Sequence, residues 1–331
     1  MKGCGWLKRF ISFACLLLCF SLLCSCFASV DNQETTTSTT VTTSLQEILS
    51  TTEEAEEETE TGTATETTKT ESTTQAIENE KPKDKTVIVN FGDSIFGNYQ
   101  DLSGENQSIS SMISDMTGAT VYNCGFGGCK MAYATGNEHQ LFSMVKLADA
   151  IASNDFSAQE NAIPNWSGYA YYGKKSFETL KNIDFNEVDI ITIAYGTNDF
   201  SIGIDLDNER KPYDIYTYGG ALRYSIQKIK SAYPHLKIYV CTPIYRYWVN
   251  DGVITDSNTV KNADGNLLTD YVTLTKNISN ELGVVCIDNY YNSGINAETR
   301  ELCFSNGDTT HPNLYGRKLI AQNIVSVLSK K

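Results

Sequence analysis

The chain is short of nearly everything that would point to a metal, a nucleotide or a nucleic acid. It has three histidines in 331 residues, no C-x-x-C pair and no H-E-x-x-H. Without a His/Cys cluster at ligand spacing, neither a structural nor a catalytic metal is expected, and no cofactor is implied. The glycine-rich stretch Gly125-Phe-Gly127-Gly128-Cys129-Lys130 lacks the third glycine of a dinucleotide fingerprint. It also lacks the Gly-Lys-Ser/Thr end of a phosphate loop. Disulfide scaffolding is missing as well. Five of the ten cysteines fall in the first 26 residues, leaving Cys124, Cys129, Cys241, Cys286 and Cys303 downstream. An odd count over about 250 residues is no framework, and buried thiols with at most one bridge are expected.

Positive charge is scarce too. The net charge is −14, but residues 31–80 hold 13 acidic residues against Lys69 alone, so residues 81–331 carry only −5. The acidity belongs to one segment, and the remainder has no strong field for nucleic acid or an acidic ligand.

The first 26 residues carry Lys2, Lys8 and Arg9, then 14 mostly apolar residues from Phe10 to Leu23. A bilayer-spanning helix needs about 20 residues, so this run fits a signal-peptide core. The site Leu23-Cys24-Ser25-Cys26 resembles a bacterial lipoprotein signal, which implies lipidation of Cys26 and a cell-surface location. A plain secretory signal is the alternative. From Phe27 to Pro82 the chain is dominated by Thr and Glu, with almost no aromatic residues. Such a segment buries too little apolar surface to offset its ordering entropy and reads as a disordered linker. Its root-mean-square reach is roughly 40 Å.

From residue 83 onward, short β-branched runs alternate with longer amphipathic ones. Strands are expected at 86–91, 119–122, 188–194, 236–241 and 284–287. Helices are expected near 109–116, 140–152, 176–182, 216–232, 267–282 and 313–328. Continuous apolar strands alternating with helices imply an α/β domain with a parallel sheet covered on both faces. Residues 154–175 read as a long surface loop, and 201–214 as a second irregular stretch.

Four short blocks stand out against this frame. Gly92-Asp93-Ser94 ends the first strand, Asn123-x-Gly-x-Gly127-Gly128 ends the second, and Gly196-Thr-Asn198-Asp199 ends the third. Asp308-Thr-Thr-His311 precedes the last helix. Ligands of open α/β sheets bind at the carboxyl ends of the strands, so the first three blocks converge on one edge. Each block alone has a plain reading: turn chemistry for Gly-Asp-Ser and Gly-x-Asn-Asp, a helix cap for Asp-x-x-His-Pro. Together they supply what acyl transfer needs: a nucleophile (Ser94), a base (His311) and a group to orient it (Asp308). Oxyanion donors would be the Ser94 and Gly128 N–H groups and the Asn198 amide. His139 and His235 read as ordinary surface or turn residues. Ser94 is not in a Gly-x-Ser-x-Gly elbow, because Phe96 takes the last position.

In these blocks the chain resembles the SGNH (GDSL-type) esterase and lipase family over about 86–331. The resemblance implies a flavodoxin-like three-layer sandwich with five parallel strands, and hydrolysis of an ester or thioester through an acyl-serine intermediate. Family members often carry Ser where Gly127 stands. The aromatic residues Trp166, Tyr169, Tyr171 and Tyr172, with Tyr245, Tyr247 and Trp248, suit stacking on sugar rings, which favours O-acetyl ester hydrolysis on a glycan. The plain alternative makes them core. Two rival functions remain open: a lipase or thioesterase acting on longer acyl chains, and a surface binding module that has lost catalysis. The expected partner is a glycan or small-molecule ester, with no nucleic acid and membrane contact only through the lipid anchor. No oligomeric state is implied.

Overall fold

Strand β1, Val87–Gly92, is an inner strand of the sheet, with Val89 and Phe91 fully buried. The computed structural model describes residues 85–98, 107–136, 138–166, 170–305 and 307–330. The expected signal segment, the Thr/Glu linker and Cys26 lie outside the described residues, as does Tyr169.

Four strands join β1 in a parallel sheet: β2 (Thr120–Gly125), β3 (Ile190–Ala194), β4 (Lys237–Cys241) and β7 (Val285–Ile287), in the order β2-β1-β3-β4-β7. All five coincide with expected strands to within three residues at either end. Residues 88–91 of β1 run Ile-Val-Asn-Phe and β3 runs Ile-Ile-Thr-Ile-Ala, with no polar-out alternation, because both faces are covered. Each fully buried Ile, Val or Phe contributes roughly 1.5–3 kcal/mol.

The strand order dictates the layers. Movement from β1 to β2 runs one way across the sheet, and every later crossover runs the other way. With right-handed connections, the helix after β1 covers one face and those between later strands cover the other. Accordingly α2 (Ile109–Thr117) packs against the last helix, α11 (Leu314–Leu328), while α3 (Met144–Ser153), α7 (Tyr218–Ala232) and α8 (Leu268–Glu281) pack together. The reversal between β1 and β3 opens a crevice at their carboxyl ends, where this kind of sheet binds its ligand.

Two regions depart from the expectation. Residues 154–175 are expected as a loop, but most of those described are helical: α4 (Ser157–Ala162), a 3₁₀ turn (Ile163–Asn165) and the start of α5 (Ala170–Leu180). Within this largely polar stretch Ile163 is buried, and Trp166 is only 4% exposed among Phe126, Phe142 and His139. The other addition is an antiparallel hairpin between β4 and α8, made of β5 (Tyr247–Asn250) and β6 (Val253–Asp256). Asp251 and Gly252 both take positive φ at its tip, as a tight two-residue hairpin turn requires.

Candidate active site

Ser94 opens the short helix α1 (Ser94–Gly97), and Asp93 is its N-cap. The Asp93 carboxylate accepts the Ile95 N–H at 2.9 Å, and its carbonyl takes the Phe96 and Gly97 N–H groups at 3.2 and 2.8 Å. The Ile95, Phe96 and Gly97 N–H groups are thus all taken up by Asp93, and the Ser94 N–H is not among the donors committed in this turn. Block two meets this turn at very short range. A Cβ on Gly125 would lie 2.5 Å from Gly97 N, and one on Gly97 would lie 2.5 Å from Gly125 O, so neither position accepts a side chain. Asn123 Nδ2 donates to Phe96 O at 2.7 Å and ties the two blocks together.

Past β2 the chain turns through Gly127 and Gly128, the latter at φ +76°. A Cβ on Gly127 would stand 3.7 Å from the Ser94 Cβ, which puts this turn beside the nucleophile. Block three pins it from below. Asn198 Nδ2 donates to Cys129 O at 2.9 Å, and the two oxygens of Asp199 accept the N–H groups of Met131 and Ala132 at 3.0 Å each. Asn198 and Asp199 sit in the first turn of α6 (Thr197–Ile202), directly after β3. The first three blocks are therefore one hydrogen-bonded unit around the β1/β3 crevice.

The fourth block comes from the opposite end of the chain. Ser94 Oγ lies 2.8 Å from His311 Nε2, and His311 Nδ1 lies 2.9 Å from Asp308 Oδ2. The other Asp308 oxygen accepts the N–H groups of Thr310 and His311 at 2.9 and 2.8 Å. A proton on Nδ1, facing the carboxylate, leaves Nε2 free to accept the serine proton. The turn is closed by Asn313 N–H to Cys303 O at 2.8 Å, and buried Arg317 donates to Pro312 O at 2.9 Å. Asn313 is the N-cap of α11, and its side chain accepts the Gly316 N–H.

Burial and charge set these groups apart. Desolvation pushes the Asp93 carboxyl up to about 7, with Asp199 adding to the rise and Arg246 opposing it. Asp199 is pushed to about 6, again by burial, against the pull of its two N–H donors and of Lys130. Asp308 goes the other way. Burial opposes its charge, but the His311 and Thr310 N–H groups and the imidazole hold it below the usual carboxylate range.

The structure brings together Ser94, Gly128, Asn198, Asp308 and His311, all singled out in the sequence. It corrects the reading of His139. That ring is half-buried, stacks on Trp166 at 4.6 Å between centroids, and sits where a Cβ on Gly128 would come within 2.7 Å of it. It backs the glycine turn and is no ordinary surface histidine. Of the aromatic set, Trp166, Tyr245 and Tyr247 are core, Tyr171 is 63% exposed, and Tyr172 and Trp248 are half-buried. Sequence reasoning missed Arg246, the residue between Tyr245 and Tyr247. It also missed Tyr133 and Tyr216, which pair edge-to-face at 5.8 Å beyond the glycine turn.

The family of GDSL-like lipases and acylhydrolases matches residues 88–324. Among solved structures, one crystal structure at 24% identity superposes with a TM-score of 0.55, covering 74% of this chain and 96% of its own. A protein from Lactobacillus plantarum, 17% identical, gives 0.52 over 74% and 96%. A carbohydrate acetylesterase from Sinorhizobium meliloti, 15% identical, gives 0.41 over 74% and 99%. No curated protein sequence matches the chain. With the family match spanning most of its length, the chain belongs to the GDSL-like lipase/acylhydrolase family and is a carboxylic ester hydrolase.

Proposed function

We propose that this is a serine esterase that removes O-acetyl groups from a glycan at the bacterial cell surface. The observation that carries the chemistry is the unbroken chain from Ser94 through His311 to Asp308, at 2.8 and 2.9 Å. In the reaction, Ser94 Oγ attacks the ester carbonyl as His311 Nε2 takes its proton. The oxyanion is received by the Ser94 and Gly128 N–H groups and the Asn198 amide. Collapse expels the sugar alcohol, which takes the proton back from Nε2. Water, deprotonated by the same nitrogen, then releases acetate from the acyl-serine.

Exposed aromatic faces support the glycan reading: Tyr171 and Tyr216 are largely in solvent, Tyr216 lies edge-to-face with half-buried Tyr133, and Trp248 is half-buried. Aromatic rings present a flat apolar face with a polar tip, which suits a sugar ring. Exposed Ile202, Val249 and Val253 on α6 and the hairpin favour a second reading, a longer acyl chain. A chain-length series of p-nitrophenyl esters run beside acetylated oligosaccharides separates the two. Activity concentrated on acetyl is expected, and a maximum at C8 or beyond would move the enzyme to the lipases. Ser94→Ala should abolish turnover by roughly a million-fold while leaving a folded domain.

Surface location rests on the lipoprotein-type site at Cys26. Cys26→Ser should release enzyme into the medium, and equal release from wild type and variant would replace the lipid anchor with a plain secretory signal.

A further inference from the structure

Arg246 stands among the blocks that carry Ser94, Asn198 and His311, and among the described residues it has no counter-ion. It lies just past the carboxyl end of β4. One terminal nitrogen donates to Thr197 Oγ1 at 3.2 Å and to Ser201 Oγ at 3.0 Å, on either side of Asn198 and Asp199 in α6. The guanidinium lies over the Trp248 ring, 4.8 Å from its centroid. Its charge reaches Asp93, next to the nucleophile, and Asp308, the partner of the base. Yet among the described residues no carboxylate comes within ion-pair distance of it, and its buried Nε has no hydrogen-bond partner.

That combination is unusual for a half-buried guanidinium. Arginine stays charged in proteins, and charges drawn into a protein are normally paired. Two other partly buried arginines follow the rule: Arg223 is held by Asp207 and Glu281, and Arg300 by Asp256. Neither carboxylate near Arg246 serves in this way. Asp308 is committed to His311 and two backbone N–H groups. Asp93 is buried beneath the nucleophile, where loss of water pushes it toward the neutral acid at pH 7. The planar fork of the guanidinium, which matches a carboxylate two oxygens to two N–H groups, is met on one terminal nitrogen by two hydroxyls and among the described residues by no carboxylate.

We propose that Arg246 is an anion subsite that receives a carboxylate of the substrate, so that the preferred ester is an O-acetyl group on an acidic sugar. This rests on the acetyl-ester reading above. An acetyl group carries no acid, so the carboxylate must lie on the alcohol half, as in a uronic acid. Trp248 then has a second use: it fixes the guanidinium plane and offers an apolar edge beside it. The domain's small net negative charge gives no long-range attraction for an acid, so the preference should appear in KM, after encounter, more than in association rate.

The test compares mono-O-acetylated methyl galacturonoside with its uronamide, which differ only in the charge of one group, and reads acetate release. p-Nitrophenyl acetate reports the esterase itself. Wild type should favour the acid over the amide by roughly 10- to 100-fold in kcat/KM, mostly through KM, as for a hydrogen-bonded charge pair. Arg246→Gln should bring that ratio near one, and Arg246→Lys should keep part of it, since a lysine restores charge without the fork. If wild type hydrolyses p-nitrophenyl acetate but treats acid and amide alike, the subsite is refuted and the esterase stands. It is also refuted if Arg246→Gln slows both sugars by one factor and keeps their ratio, which would make Arg246 a positioning residue for α6. Failure on every acetyl ester, p-nitrophenyl acetate included, removes the esterase reading and this one with it. Thermal midpoints of both variants control for folding.

Discussion

Asp199 and Asp308 use the same device in opposite surroundings. Each carboxylate gathers two backbone N–H groups and so orients a catalytic piece. Asp199 is fully buried and reaches across 67 and 68 residues to hold the glycine turn. Asp308 is 41% exposed at its side chain and holds its own next neighbours. Burial pushes the first up to about 6, while hydrogen bonds keep the second below the ordinary range. The strand-end half of the site is thus part of the core, and its geometry is inseparable from folding. The base half is a turn nearer the surface, whose carboxylate–imidazole contact is set by bonds within four residues.

If that division is real, substitutions in the two halves should fail in different ways. Asp308→Asn should cost the most in rate, up to roughly 10⁴-fold in kcat, because an amide supports neither the Nδ1–H tautomer nor the imidazolium. Its thermal midpoint should hardly move. Asp199→Asn should do the reverse. An amide has one acceptor oxygen for two buried N–H groups, so the variant loses roughly 1–3 kcal/mol of stability, which is several degrees in the midpoint for a domain of this size. Rate should suffer less than in Asp308→Asn. Paired kinetics and thermal melts decide it: if both variants lose rate and stability in the same proportion, the division into two halves is wrong.

The smallest effect tests the buried half by pH. Asp93 titrates near 7 in the fold against an ordinary 3.8, so the fold binds its proton more tightly than the unfolded chain does. Its contribution to stability is complete below about 4 and is lost as pH rises through about 7. Asp93→Asn keeps the N-cap acceptor for Ile95 and removes the ionisation. The decline of the thermal midpoint between pH 4 and 7 should become shallower, with some slope left by Asp199. A variant that tracks wild type across that window would mean Asp93 is already ionised in the fold.

Much of this was readable in the sequence because the informative features were local. The β-branched runs at β1, β3 and β4 have no helical period, and each of the four blocks sits at the end of an element that its own residues define. Asp308 and His311 are three apart, so their contact needs only a turn. Long-range contacts left no such trace. Arg246 is an arginine between two tyrosines, and only the placement of α6 and Trp248 around it gives it a site. His139 behind Gly128 depends on a 3₁₀ turn (Glu138–Phe142) meeting Trp166 from 27 residues on. The stretch 154–175 misled because polar residues outnumber the few that pack, among them Trp166. The hairpin has a local signal, Asp251-Gly252 between Tyr-Trp-Val-Asn and Val-Ile-Thr-Asp, but its strands are only four residues each and the aromatics in it also suit a ligand surface.

Cys124, Cys129, Cys241, Cys286 and Cys303 are all unpaired, four of them buried and Cys286 half-buried. Burial pushes every one of these thiols upward, so at neutral pH almost none is present as the reactive thiolate. Maturation of the catalytic domain therefore calls for no oxidant, no isomerase and no waiting for a bond to close. It can reach its working form equally well in a reducing or an oxidising compartment, and peroxide or a change of redox potential finds little to act on once it is there.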